Sequence, residues 1–185
     1  MSIIDHFESH LGPLAEGWPD SAVAGPIQVA RFNNVPSSGV STYATVGLGL
    51  HVLEMPDDRR VRQELILIAE PAFAEKDIIK FLLAAADSLL TKHHAVLRGE
   101  VIGDAKATPI VPGSSCTRVY AGIPVVFEES IQVYEGSSPA TVIVWLIPIT
   151  SQESAYVRER GWDAFESLLE ESQPDLFDLA RKSIV

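Results

Sequence analysis

Apolar residues recur at helical spacing in two stretches of the chain. The longer stretch, residues 76–97, is rich in leucine and alanine, which favour helix, and Asp77 places negative charge near its start, where the helix dipole favours it. The shorter stretch, residues 3–14, predicts a first helix. The sequence GWPDSAVAGP then breaks the pattern, so we expect residues 1–26 to form a helix and an irregular lead-in.

Other stretches have the period or the composition of strands. Residues 27–32 alternate apolar and polar, residues 42–53 are rich in residues that favour strands, and residues 62–70 begin alternating and become apolar. Residues 140–149, ATVIVWLIPI, are nearly all β-branched or aromatic, which predicts a central strand buried on both faces. Prolines and glycines interrupt residues 98–139, which predicts a loop followed by short strand segments.

A clear helix start follows the predicted central strand. Thr150 with Glu153 three residues later fits a capping box, in which each side chain accepts a hydrogen bond from the other residue's backbone amide. We expect this helix to run to Arg160 and to relax or bend at Gly161, with a second system of turns at residues 162–171.

The last residues, DLFDLARKSIV, combine apolar and charged side chains. The spacing of the apolar ones predicts that this tail docks onto the body of the protein. Arg181 has Asp175 and Asp178 as acidic neighbours in sequence, which predicts a fixed ion pair there.

The order helix, strands, helix, strands, helix indicates an α+β fold, with a mixed, mostly antiparallel sheet packed with helices. The chain of 185 residues contains no Gly/Ser-rich or Pro-rich linker, so we expect one domain over residues 1–185.

The charge balance narrows the classes of partner. With 14 basic and 25 acidic residues the formal net charge is −11, which repels phosphate backbones and argues against direct nucleic-acid binding. The same charge favours solubility and fast encounter with basic partners, and both explanations of the acidity stay open. Asp5 and Glu8 interrupt any apolar leader, and the most apolar run, residues 141–149, is too short to span a bilayer, so we expect a cytoplasmic protein without a membrane segment.

The histidines and glycines do not form a recognisable metal or cofactor site. His6 and His10 share a helix face, but the spacing supplies no third ligand, so they are interpreted as two surface histidines. Gly47 and Gly49 lack the third glycine of a dinucleotide fingerprint, and glycine inside a strand indicates a bulge or a close backbone approach. We therefore expect no metal and no cofactor.

The single cysteine, Cys116, excludes an internal disulfide. As a nucleophile it would need a base such as His51, His93 or His94 nearby in space. The simpler interpretation is a small, partly buried cysteine, with His93 and His94 favourably placed at the C-terminal end of the long helix.

The C-terminal part, WLIPITSQESAYVRERGWDAFESLLEESQPDLFDLARKSIV, resembles the Suppressor of Fused domain family. The matching features are a strand ending in Pro-Ile-Thr and a helix that contains Glu153, Tyr156 and Gly161. A later Asp-Leu-x-Asp-Leu-x-Arg-x-Ser segment, which ends at Ser183, also matches.

The glycines and prolines of residues 99–113 and the stretch TYATVGLGL match as well, so the resemblance covers roughly residues 27–185. Where the family often has a histidine beside the loop glycine, this chain has Glu100. The resemblance implies a mixed-sheet α/β sandwich without known enzymatic activity. In animals such domains bind a peptide of zinc-finger transcription factors, and stand-alone bacterial members are similar to immunity proteins that neutralise a toxin by binding it.

Our hypothesis from sequence is a non-catalytic protein-binding domain, an immunity protein for a toxin with a basic surface. Binding residues concentrate in irregular segments, which makes loop acids and aromatics the candidate contacts. They are Asp104, Tyr120, Glu128, Glu129 and Tyr134. The alternatives are a regulatory peptide-binding protein without a toxin, and a small-molecule enzyme that uses Cys116 and a histidine.

Overall fold

The computed structural model describes residues 2–19, 27–103 and 106–185. The helices are α1 (Ile3–Leu11), α2 (Glu75–Lys92), α3 (Ser151–Arg160) and α4 (Trp162–Ser172). The strands are β1 (Glu16–Pro19), β2 (Gln28–Asn33), β3 (Ser41–Val46), β4 (Leu53–Glu54), β5 (Arg60–Ala69), β6 (Val101–Ile102), β7 (Arg118–Gly122), β8 (Val133–Tyr134) and β9 (Thr141–Ile149).

The strands of the described residues join into one sheet. Its order is β1-β2-β3-β5-β9-β7-β6, with β4 beside β5 and β8 beside β9. The central pair, β5 and β9, is parallel, and the other pairs are antiparallel. The predicted α+β fold with a mixed, mostly antiparallel sheet is confirmed.

Helices cover both faces of this sheet. Because side chains alternate along a strand, Leu65 and Leu67 of β5 face the core under α2, whereas Ile66 and Ile68 face the core under α1, α3 and α4. The side chains of β9 alternate between the same two cores. The strand is buried along nearly its whole length, as its continuous apolar composition predicts. The chain thus forms two apolar cores separated by the sheet.

The two predicted N-terminal helices are present but shorter than their apolar spacing suggested. Helix α1 ends at Leu11, where Gly12 adopts φ +84 and its amide donates to the Glu8 carbonyl. Helix α2 ends at Lys92, because His93 takes a left-handed conformation and its amide closes the last turn onto Leu90.

Residues 42–53 do not form one strand as predicted. Strand β3 stops at Val46, and a short 3₁₀ turn, Leu48–Leu50, follows. The cause is the buried carboxylate of Glu64, which accepts hydrogen bonds from the amides of Gly47 (2.8 Å) and Gly49 (2.9 Å). A Cβ on Gly49 would lie 3.1 Å from this carboxylate, so the expected close backbone approach is present, with a side chain as the neighbour.

The predicted capping box at the start of α3 is confirmed. The amide of Glu153 donates to the Thr150 hydroxyl (3.2 Å) and the amide of Thr150 donates to the Glu153 carboxylate (2.8 Å). At the other end Gly161, at φ +87, ends α3 and begins α4. Residues 162–171 therefore belong to a regular helix, not to the system of turns expected from the sequence.

The C-terminal tail docks onto the body as predicted, with Leu179 fully buried. The ion-pair prediction was right about Arg181 and wrong about its neighbours. The guanidinium binds both carboxylate oxygens of Glu153, at 2.5 and 2.8 Å. Asp175 and Asp178 instead accept backbone amides within their own turns.

Candidate partner-binding surface

Residues 123–137, between β7 and β9, expose both apolar and acidic side chains to solvent. The exposed fraction is 71% for Val125, 36% for Val126 and 38% for Val133. The exposed acids of the same segment are Glu128, Glu129 and Glu135. We call these six residues the valine–glutamate surface. The exposed valines and glutamates of this one segment are the side chains that a partner could contact there.

Backbone hydrogen bonds and a buried side chain hold this segment in place. The Phe127 amide donates to the Pro124 carbonyl (3.2 Å), and the Ile131 amide donates to the Glu128 carbonyl (3.1 Å). The Ile131 side chain is fully buried in the core under α1, α3 and α4. Strand β8 then pairs with β9, so the exposed valines are carried by a backbone that is fixed on both sides.

Helix α1 supports the segment from the side. Nε2 of His6 lies 3.0 Å from the Ile131 carbonyl oxygen, and Nε2 of His10 lies 2.9 Å from the Ser130 hydroxyl. The His6 ring also packs against Tyr134, with 5.5 Å between ring centroids. Burial lowers the pKa of His6, although its hydrogen bond to Ile131 acts in the opposite direction. The neutral imidazole is thus the form that the folded protein favours.

The prediction of two surface histidines was wrong for His6, which is buried, and His10 is half-buried. Between α1 and the valine–glutamate surface lies an open groove of about 510 Å³. Val126 and Glu128 line this groove together with Val35 and Pro36. The surface is therefore concave at one edge, which favours insertion of a partner's side chain.

Of the five predicted contacts, Glu128 and Glu129 lie on the valine–glutamate surface and are exposed. Tyr134 lies in the same segment and is half-buried. Asp104 is outside the described residues. Three of the five thus lie in the segment of residues 123–137, and their role in binding remains a prediction.

The placement predicted for Tyr120 was wrong. Its side chain belongs to β7 and is fully buried, and its hydroxyl donates to Glu166 at 2.7 Å. Burial is the main cause that raises the pKa of this phenol. The side chain of Tyr120 points inward from β7 and therefore belongs to the core. This short strand is hard to recognise in the sequence because Pro124 follows it closely.

Sequence reasoning did not single out the three exposed valines. The signal that identifies them is their position on both sides of the Glu128–Glu129 pair, in a stretch that Pro124 interrupts. A valine in such a stretch is ordinarily assigned to the core, and its exposure depends on how the segment folds over Ile131.

Cys116 is fully buried, which exceeds the partial burial expected. The neighbouring serines hydrogen-bond the carbonyls of the C-terminal tail, and burial raises the pKa of the thiol. A nucleophilic cysteine needs the opposite shift and a nearby base. His93 and His94 are exposed to solvent at the end of α2.

No group of three or more His, Cys, Asp or Glu side chains within the described ranges has the arrangement to hold a metal ion. In the same part of the chain, no helix is both long enough and apolar enough to cross a membrane.

Comparison with known proteins gives the chain relatives that match along most of its length. The immunity protein YqcF of Bacillus subtilis (strain 168) is 26% identical over 180 residues, which cover 91% of this chain and 86% of that protein. The crystal structure of a putative SUFU (suppressor of fused protein) homolog from Neisseria gonorrhoeae FA 1090 matches with a TM-score of 0.79 and 18% identity, over 99% of this chain and 94% of that one.

Two further structures share the fold at lower identity. The Sufu–Fu complex matches with a TM-score of 0.71 and 11% identity, over 98% of this chain and 90% of that one. Drosophila Suppressor of Fused matches with a TM-score of 0.69 and 11% identity, over 99% of this chain and half of the Drosophila chain. The family model for Suppressor of fused protein (SUFU) matches residues 24–182. The chain therefore belongs to the Suppressor of Fused family.

Proposed function

We propose that this protein is a non-catalytic immunity protein, which acts in the cytoplasm as one domain over residues 1–185 and neutralises a toxin by binding it. The observation that carries the proposal is the valine–glutamate surface. Three exposed valines and three exposed glutamates occur on one segment that is held by α1 and by β9.

The chemistry of this surface suits a basic protein partner. Apolar side chains at the centre of an interface supply contact area that excludes water, and charged side chains around them set the orientation. With a net charge of −11, the whole protein also attracts a basic domain during diffusional encounter. Binding there would cover the functional surface of the toxin.

The relatives support the same proposal. One is an immunity protein of B. subtilis, and another is a Sufu protein whose structure was solved as a complex with Fu. The second description names a complex with another protein. A regulatory role without a toxin partner is the second candidate, and the Sufu–Fu complex is the observation that favours it.

The enzyme alternative receives no support from the geometry of Cys116. Its thiol is buried below the docked C-terminal tail, and the raised pKa keeps it protonated at neutral pH. The histidines at the end of α2 lie in solvent, whereas a base must reach the thiol within hydrogen-bond distance.

The test is to express the tagged protein in its own host and to identify what co-purifies at low and at moderate salt. We expect one basic protein that is released as the salt concentration rises, because exposed charges are screened over about 10 Å at 0.1 M salt. The double substitution Glu128→Lys and Glu129→Lys is expected to abolish its recovery.

The matched control is Glu170→Lys with Glu171→Lys. This pair of exposed acids on α4 undergoes the same change of charge away from the valine–glutamate surface. Equal loss in both double variants would show that net charge alone acts, and equal recovery in both would exclude the surface. Recovery of no partner at either salt concentration would count against the proposal.

A further inference from the structure

An exposed tryptophan lies at the start of α4 and is held rigidly. Trp162 is 42% exposed, and its indole packs directly onto Gly99. A Cβ at Gly99 would lie 2.7 Å from Trp162 Cβ and Cγ, and Gly99 has φ +91, which favours glycine. The guanidinium of Arg98 lies over the indole ring, 4.8 Å from its centroid. The backbone is thus shaped to hold a large apolar ring at the surface.

Arg98 is itself locked in place. It forms a two-point ion pair with the Glu166 carboxylate, with Nε 3.0 Å from Oε1 and Nη2 in contact with Oε2. The buried Tyr120 hydroxyl donates to the same carboxylate (2.7 Å). Glu166 therefore neutralises Arg98, and the role of this arginine is to orient the indole.

Beside this indole is an open pocket of about 430 Å³, formed by α3, the start of α4, and strands β6 and β7. Val101 and Val157 line its apolar part, and Arg118 and Arg158 line its polar part. Neither arginine forms an ion pair with a described residue. In a protein with 25 acidic and 14 basic residues, two such arginines around one pocket are unexpected.

The position of the Arg118 side chain leaves its donor group at the edge of the pocket. The stem of Arg118 lies against Gly103, where a Cβ would come within 2.8 Å of Arg118 Cγ. Its Nη1 donates a long hydrogen bond, 3.4 Å, to the neighbouring Thr117 carbonyl. The planar donor group of Arg118 thus borders the pocket with capacity for an acceptor.

We propose that this pocket binds an acidic segment of a protein, with a carboxylate between Arg118 and Arg158 and an apolar side chain against Trp162. Guanidinium groups match carboxylates in geometry, and tryptophan and arginine supply much of the binding energy at protein interfaces. The pocket has the size for one or two side chains.

A protein is favoured over a nucleic acid as the source of the anion. A chain with a net charge of −11 repels a polyphosphate as a whole, whereas a short acidic segment carries few charges and adds apolar contacts. The site has the opposite charge to the valine–glutamate surface and shares no residue with it. The inference therefore does not depend on the proposed toxin partner.

The test is an NMR titration of the full chain with the peptide acetyl-Leu-Glu-Leu-Glu-amide, observed at the indole N–H of Trp162. The resonance is assigned by its disappearance in Trp162→Phe. We expect it to shift with this peptide and to stay in place with acetyl-Leu-Gln-Leu-Gln-amide. The pair Arg118→Gln and Arg158→Gln is expected to weaken the Kd at least about tenfold.

Arg160→Gln is the matched control, because it removes one exposed arginine two positions further along α3, outside the pocket. It is expected to change the Kd by less than about twofold. An absent shift, or an equal shift with the glutamine peptide, would overturn the proposal. Shifts caused by inorganic phosphate or by a short single-stranded oligonucleotide, without one from the glutamate peptide, would overturn it as well. Glu128→Lys with Glu129→Lys is expected to leave peptide binding unchanged, which separates this test from that of the proposed function.

Discussion

The buried ion pair between Arg181 and Glu153 fixes the C-terminal tail to α3. Both side chains are buried, and Arg181 also donates to the Pro148 carbonyl at 3.1 Å. The Glu153 carboxylate accepts two more hydrogen bonds, from the amides of Thr150 (2.8 Å) and Ile184 (3.1 Å). Substituting Arg181→Met removes the cation and leaves the carboxylate in a site that water does not reach.

The expected loss is large because the remaining charge keeps its burial and loses its partner. Removal of one member of a buried ion pair costs about 3–5 kcal/mol of unfolding free energy. With an unfolding entropy of about 2 cal/mol/K for each of the 185 residues, about 4 kcal/mol lowers Tm by roughly 10 °C. Adding Glu153→Gln neutralises the stranded carboxylate, so the double variant is expected to be more stable than Arg181→Met alone.

Urea unfolding at neutral pH, followed by circular dichroism, measures these free energies. The controls are Asp175→Asn and Asp178→Asn. They remove the charge of the two acids that lie nearest to Arg181 in sequence and keep an oxygen that accepts the hydrogen bonds. They are expected to change the free energy of unfolding by less than about 0.5 kcal/mol. A loss below about 1 kcal/mol for Arg181→Met, or an equal loss for Asp178→Asn, would refute the assignment of Glu153 as the partner.

Two further predictions concern pH. Burial raises the pKa of Glu64 to about 7 despite its hydrogen bonds from Thr45, Gly47 and Gly49, so the folded state favours the protonated acid and loses stability as pH rises from about 4.5 to 7. The free energy of unfolding is expected to fall by about 3 kcal/mol over this range. Urea unfolding at several pH values should show this fall in the wild type and not in Glu64→Gln. The same pH dependence in both proteins would contradict the prediction. For His6 the pKa is lowered, so its contribution to stability is present above pH 6.5 and lost as pH falls through the lowered value. An NMR titration that places the His6 pKa above 6.5 would contradict this.

The opposite signs of these two groups have a common origin. Glu64 and His6 are both buried, and burial disfavours the charged form of each. For an acid the charged form appears at high pH, and for a base it appears at low pH. Comparison of Glu64→Gln with the wild type, instead of the wild-type curve alone, therefore isolates the effect of Glu64 from that of His6.

Within residues 98–139, the exposure predicted from the sequence is right for the glutamate pair and wrong for Tyr120. The glutamate pair identified an exposed acidic position correctly, because adjacent acids are seldom both buried. Tyr120 was assigned to the same exposed class, and its actual position depends on pairing with Ile147 across β7 and β9. No short segment of the sequence specifies this strand register.

The pocket beside Trp162 illustrates a second limit. Its residues come from four separate parts of the chain, which are the Gly99 turn with β6, strand β7, helix α3 and the start of α4. Nothing in the order of these segments predicts that Arg118 and Arg158 border one space. Gly99 and Gly103 are evident in the sequence. The sequence does not show that Trp162 packs against Gly99 or that Arg118 packs against Gly103.

The sequence by itself determined the elements whose causes are local. Helical spacing gave α1 and α2, apolar composition gave the buried strand β9, and Thr150 with Glu153 gave the start of α3. The tertiary structure alone decided the partners of the buried polar groups, such as Glu153 for Arg181 and the Ile131 carbonyl for His6. The physical reason is range: a cap or an apolar stripe is completed within one or two turns, whereas a buried charge is satisfied by whichever donors the packed fold brings to it.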